Sequence, residues 1–112
     1  MIEEFKFGFF RIQGREYYDD IKIVNGRVKQ WGDRKRHTLK VSNLKDILES
    51  KPELIIIGSG ASGLLEVPHE VMEALQQQNI KAVIQKTQQA CDSFNSAIAE
   101  NKKVAAIFHG TC

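Results

Sequence analysis

From Glu53 onward the chain follows an order that few folds accommodate: strand, helix, strand, helix, strand. Glu53-Leu54-Ile55-Ile56-Ile57 is an unbroken apolar stretch, the kind found in strands buried on both faces of a sheet. Pro68 suits the first turn of a helix, where its missing N–H leaves no bond unmade, and Val71, Ala74 and Leu75 line one side of a helix reaching about Asn79. Lys81 to Gln85 forms the next strand. Ala90, Cys91, Phe94, Ala97 and Ile98 then recur with helical spacing as a core-facing stripe, and Lys103-Val104 open a last apolar strand through Phe108. Such alternation implies parallel strands joined by right-handed crossovers.

The first third reads differently. Phe5, Phe7 and Phe9 alternate with Lys6 and Gly8, a period of two that predicts a strand, and Gln13-Gly14 predicts a turn. A second run, Arg15 to Val24, carries Tyr17, Ile21 and Ile23 on one face and stops at Asn25-Gly26 before Arg27 to Trp31. Asn-Gly between two such runs signals a hairpin, because a type I′ turn needs positive φ at both central residues. An antiparallel meander follows. Gly32 to Lys40 is a polar, basic loop, and a short helix from about Leu44 to Ser50, capped by Asn43, ends before Pro52. With 112 residues, the expectation is a single domain, 1–112, around one core.

Charge and cysteine usage exclude several classes. The longest apolar runs, Leu54–Ile57 and Val104–Phe108, fall far short of the roughly 18 to 20 residues that cross a bilayer. Glu3 and Glu4 stand where a secretory leader carries positive charge, so a cytoplasmic address is expected. Cys91 and Cys112 show no zinc or redox spacing and are expected to be thiols, Cys91 as core packing. The net charge is only +2, yet Arg27, Lys29, Arg34, Lys35, Arg36 and Lys40 cluster against the single acid Asp33. This basic patch could attract phosphate or an acidic partner, or be a solvated hairpin tip. RNA binding there, with Trp31, Tyr17 or Tyr18 stacking on bases, is the weakest reading, since nucleic-acid binders are usually strongly basic.

Gly58-Ser59-Gly60-Ala61-Ser62-Gly63 follows a buried strand and satisfies G-x-G-x-x-G. The dinucleotide fingerprint, however, starts its helix at the loop and ends the next strand on an acid; here the helix start lies at Pro68, and Gln85-Lys86 end the strand. Two readings stay open: a tight turn over the sheet edge, or a small anion held by successive backbone N–H groups. Ligands of parallel sheets sit outside the carboxyl ends of the strands. Three such ends would bring together Gly58, Ser59, Gly60, Ser62 and Gly63 with Lys86, Thr87 and His109, the candidate ligand-binding residues. His109 could act as a general base, but none of the three segments has an Asp or Glu to orient it, and a histidine hydrogen-bonded at a strand end is the plainer reading. His37 and His69 have no second ligand at zinc spacing. No catalytic residue, metal site or cofactor is assigned.

The stretch Pro-Glu-Leu-Ile-Ile-Ile-Gly-Ser-Gly, a strand ending near Thr87, and the final Val-Ala-Ala-Ile-Phe-His-Gly-Thr-Cys resemble the Mth-type domain family of unknown function. The Phe-rich opening, Gly14-Arg15-Glu16-Tyr17 and the Trp31 segment are also similar, so the resemblance spans nearly the whole chain. The family includes an adipogenesis-associated protein and a mitochondrial complex I assembly factor. The resemblance implies a three-layer α/β fold, with a mixed central sheet and the N-terminal meander as an added β layer. It also implies assembly or protein interaction rather than an assigned reaction. The expected function is therefore a non-enzymatic interaction module with a protein partner; the alternative is a binding protein or enzyme for a small anionic metabolite at the Gly58 to Gly63 loop.

Overall fold

A computed structural model describes residues 1–32 and 37–112. The second half follows the expected alternation: β6 (Leu54–Gly58), α2 (His69–Gln77), β7 (Lys81–Gln85), α3 (Thr87–Ala99) and β8 (Val104–Phe108). β6 lies between β7 and β8 and is parallel to both. The chain thus leaves β6 in one direction and, through α3, returns to its other side. That reversal places a topological switch point between β6 and β8, where open α/β sheets hold their ligands.

The meander is divided between two sheets. β1 (Ile2–Lys6), β2 (Phe9–Ile12) and β3 (Arg15–Tyr18) form an antiparallel sheet of their own. β4 (Ile21–Val24) and β5 (Arg27–Gln30) join the main sheet, whose order is β5-β4-β8-β6-β7, with β4 antiparallel to β8. Two predicted strands are corrected here. Phe5 to Phe9 is not one strand, because the chain turns at Phe7-Gly8; Arg15 to Val24 breaks at Asp19, whose φ of 66° no strand residue adopts. The Asn25-Gly26 turn is as expected, with φ of 50° and 75°.

Between β5 and β6, a 3-10 turn (Val41–Leu44) leads into α1 (Lys45–Ser50). Asn43 does not cap α1. Its side chain reaches back to accept from the Lys40 N–H at 2.8 Å, closing the 3-10 turn instead.

The main sheet separates two apolar cores. On one face Ile23, Ile56, Ala106 and Phe108 meet α3 through Ala90, Cys91, Phe94 and Ala97, and the small sheet through Ile2, Phe10 and Ile12. On the other, Ile55, Ile57, Ala105 and Ile107 meet Ile47, Val71 and Leu75 of α1 and α2. β6 and β8 are buried on both faces, which explains their unbroken apolar sequences. The three layers and the mixed central sheet are as the resemblance implies, with the small sheet sharing one face with α3.

Candidate functional site at the carboxyl edge of the sheet

The ends of β6, β7 and β8 meet as expected. The His109 N–H donates to the Gly58 carbonyl at 2.8 Å, and the Ser59 N–H to that of Gln85 at 2.8 Å. Thr87, fully buried at the start of α3, ties the three together: its hydroxyl accepts from the Gly60 N–H at 2.8 Å and donates to the His109 carbonyl at 2.7 Å. The Ser59 hydroxyl donates to Gln85 O at 3.0 Å. Lys86 and Ser62 are exposed, and Gly63 lies against the Lys86 stem.

The glycine loop's amides already have acceptors. Ala61 N–H donates to Thr111 O at 2.6 Å, while Ser62 and Leu64 N–H both donate to Cys112 O at 3.0 and 3.1 Å. Successive amides thus converge as they would on an anion, with the 110–112 segment as the occupant. Gly60 has a φ of +105°, and a Cβ there would lie 2.2 Å from the Cys112 carbonyl carbon. An anion bound by these amides would have to displace that segment.

His109 is buried, at 4% exposure, and it does have a carboxylate. Its Nδ1 lies 2.9 Å from Asp20 Oδ1, which also accepts the Gly110 N–H at 2.8 Å. On the other side its Nε2 lies 2.8 Å from Nδ1 of His37. A carboxylate only accepts, so neutral His109 donates from Nδ1, its Nε2 accepts from His37, and the lone pair left over is on Nε2 of exposed His37. The sequence reading is corrected on two points. The orienting carboxylate comes from the β3–β4 junction rather than the strand ends, and His37 is a partner of His109 rather than isolated. The signal was the Asp19-Asp20 pair inside an otherwise strand-like run, where two acids are out of place. Trp31 closes the same edge, its indole N–H donating to Phe108 O at 3.0 Å.

Of the basic patch, Arg27 and Lys29 lie on β5 and Lys40 precedes the 3-10 turn, all exposed; Arg34, Lys35 and Arg36 lie outside the described residues. Lys29 is 3.5 Å from Asp46, which also holds Lys22 at 2.8 Å. His69 pairs with Glu73 at 2.7 Å. Among the described residues no group of three His, Cys, Asp or Glu side chains is placed to hold a metal ion, and no helix is long and apolar enough to cross a membrane.

Large apolar side chains flank this edge. Phe7 is 66% exposed and Leu64 61%. The Gly8 N–H donates to Gly110 O at 2.6 Å and the Leu64 N–H to Cys112 O at 3.1 Å, so the two residues border the same three-residue segment.

These features define a small α/β domain whose switch-point crevice is filled by its own chain. Over residues 2–109 the sequence matches the family described as protein of unknown function DUF498/DUF598, and the chain belongs to it. The solved structure of the protein MT938 superposes with a TM-score of 0.84 at 33% identity, covering 100% of this chain and 98% of that one. This bears out the resemblance to the Mth-type domain family. Among curated proteins, NADH dehydrogenase [ubiquinone] 1 alpha subcomplex assembly factor 3 of Danio rerio is 29% identical over 100 residues, 87% of this chain. The chain spans only 56% of that relative's length. The 13 kDa major membrane protein of Francisella tularensis subsp. holarctica is 27% identical over 107 residues, 94% of this chain and 86% of that protein.

Proposed function

We propose that the chain is a non-enzymatic assembly or protein-interaction module that docks through its carboxyl edge. One observation carries this reading: the polar groups at the switch point are bonded to one another, while exposed Phe7 and Leu64 border the 110–112 segment. Apolar side chains exposed at a crevice that is itself filled suit a protein surface better than a small substrate. The name of the zebrafish relative points the same way. The test is Phe7→Glu combined with Leu64→Glu. Substitutions at such exposed sites should leave the denaturant midpoint within about 0.5 kcal/mol of the parent. Complexes of defined mass seen by native mass spectrometry after affinity capture should disappear; if they persist unchanged, the docking surface is elsewhere.

A second reading, a site for a small anionic metabolite, is favoured by exposed His37 at the end of the Asp20–His109–His37 chain, on the edge that Lys86 also borders. Thermal-shift screening against phosphorylated metabolites tests it. A ligand at 100 times its dissociation constant adds about 2.7 kcal/mol, and no shift with any compound refutes it.

A further inference from the structure

β5 is the outer strand of the main sheet at the margin opposite β7, and one side of its backbone is unpaired. A two-residue loop, Asn25-Gly26, joins it to β4, so Val24 and Arg27 form the hydrogen-bonded pair that closes the hairpin. Such pairs recur at every second residue, at Lys22 with Lys29 and again beyond the strand, where the Trp31 N–H donates to Asp20 O at 3.3 Å. The N–H and C=O groups of Val28 and Gln30 therefore point away from β4, and among the described residues none of them has a partner.

The side chains of this edge divide by face. Arg27 and Lys29 are exposed on the α1 side, where Lys29 lies 3.5 Å from Asp46 and Arg27 has no ion pair among the described residues. Val28 alternates to the other side, where with Tyr17 and Ile98 it lines a cleft of about 750 Å³ between β5 and β3. The β3 edge is less available: its Tyr18 carbonyl accepts from Gln30 Nε2 at 3.4 Å, and its Glu16 is held by Arg11 at 3.5 Å.

We propose that β5 is a docking strand for an extended segment of a partner protein in which acidic and apolar residues alternate. Main-chain bonds to Val28 and Gln30 lengthen the sheet by one strand, and the alternating side chains give specificity. The acids of the segment lie beside Arg27 and Lys29, and its apolar residues beside Val28 over the cleft. A second copy of this chain is a poorer occupant, because pairing β5 with β5 sets Arg27 and Lys29 against the same two cations. These cations keep the edge from pairing with itself and select an acidic strand.

The probe is a fluorescent peptide amide of sequence Thr-Glu-Val-Glu-Val-Thr. Saturable binding by anisotropy is expected, with slowed hydrogen exchange at the Val28 and Gln30 amides. The same peptide with lysine for glutamate should not bind. Valine lies opposite Val28, so methylating the two valine nitrogens removes the donors that face β5 and should weaken binding about tenfold or more, whereas methylating the glutamate nitrogens should not. Arg27→Glu should weaken the acidic peptide about tenfold and admit the lysine peptide. Should that variant fail to fold, the two methylated peptides decide on the parent protein. Absence of binding, unchanged exchange at Val28 and Gln30 in the complex, equal affinity for the lysine peptide, or equal loss from both methylations would each overturn the assignment.

Discussion

Gly110 is the position where the smallest possible side chain should do the most damage. An ideal Cβ there would lie 1.7 Å from the Asp19 carbonyl oxygen, 2.8 Å from the Asp19 carbonyl carbon and 3.0 Å from the Phe10 ring. Neither neighbour can yield cheaply, since Asp19 is backbone at a positive-φ turn and Phe10 is fully buried. Gly110→Ala must therefore push the strand end away from the β3–β4 junction. Overpacking of this kind costs about 1 to 3 kcal/mol. The shift also strains two hydrogen bonds, Gly110 N–H to Asp20 at 2.8 Å and Gly8 N–H to Gly110 O at 2.6 Å. Losing the charge-assisted one adds about 1.5 to 3 kcal/mol. A loss of about 2.5 to 6 kcal/mol is expected, a large share of the roughly 5 to 15 kcal/mol that holds such domains together. Equilibrium urea unfolding measures it, with Gly26→Ala as reference: there φ is +75° but nothing lies within 4 Å of the added carbon, so only the backbone term, about 1 to 2 kcal/mol, should appear. If Gly110→Ala is as stable as Gly26→Ala or more so, the close packing of the strand end on the β3–β4 junction is wrong.

Three further outcomes are expected. Asp20→Asn leaves His109 and the Gly110 N–H without their charged acceptor and should cost about 1.5 to 3 kcal/mol; a midpoint within 0.5 kcal/mol of the parent, on the scale of ordinary surface substitutions, would contradict the buried network. Burial, with Asp92 nearby, pushes the Cys91 thiol up to about 12, so thiol titration at pH 8 should label half-buried Cys112 in the native protein and Cys91 only in denaturant. Partial burial works to raise the pKa of Asp46, but the hydrogen bond and charge of Lys22, the Ile47 N–H and Lys29 together hold it below the usual carboxylate value. The unfolded chain then binds that proton more readily, so the stabilisation is present above the ordinary carboxylate range and is lost as pH falls through the folded value. Asp46→Asn should accordingly be less stable than the parent at pH 7, and the gap should close in acid unfolding curves as the pH falls below the ordinary carboxylate range.

The βαβαβ half was legible because its signals are local: the apolar runs of β6 and β8 and the stripe on α3 report burial directly. The meander was legible as strands but not as two sheets, since the period-two pattern of Arg15 to Val24 runs on through a break that only the backbone at Asp19 reveals. Phe7 continued an alternation while sitting in a turn, because an aromatic exposed on a loop carries the same letter as one in a core. At the site, spacing and topology brought Gly58 to Gly63, Thr87 and His109 to one edge. Asp20 and His37 stayed hidden, because they reach His109 across 89 and 72 positions of sequence and no motif spans such distances.

The position of β8 bears on how the protein is made. It lies between β4 and β6, yet in sequence it follows every other strand. On the ribosome, where chains emerge at about 5 to 20 residues per second, the β4–β5 hairpin and the β6–β7 pair must therefore wait as separate halves. Until residues 104–108 leave the exit tunnel, Ile21 and Ile23 on one side and Ile55 to Ile57 on the other each present an unmated strand edge to solvent or to a chaperone. Translation arrest anywhere before Val104 would leave a nascent chain with its secondary structure encoded and its sheet open at the centre.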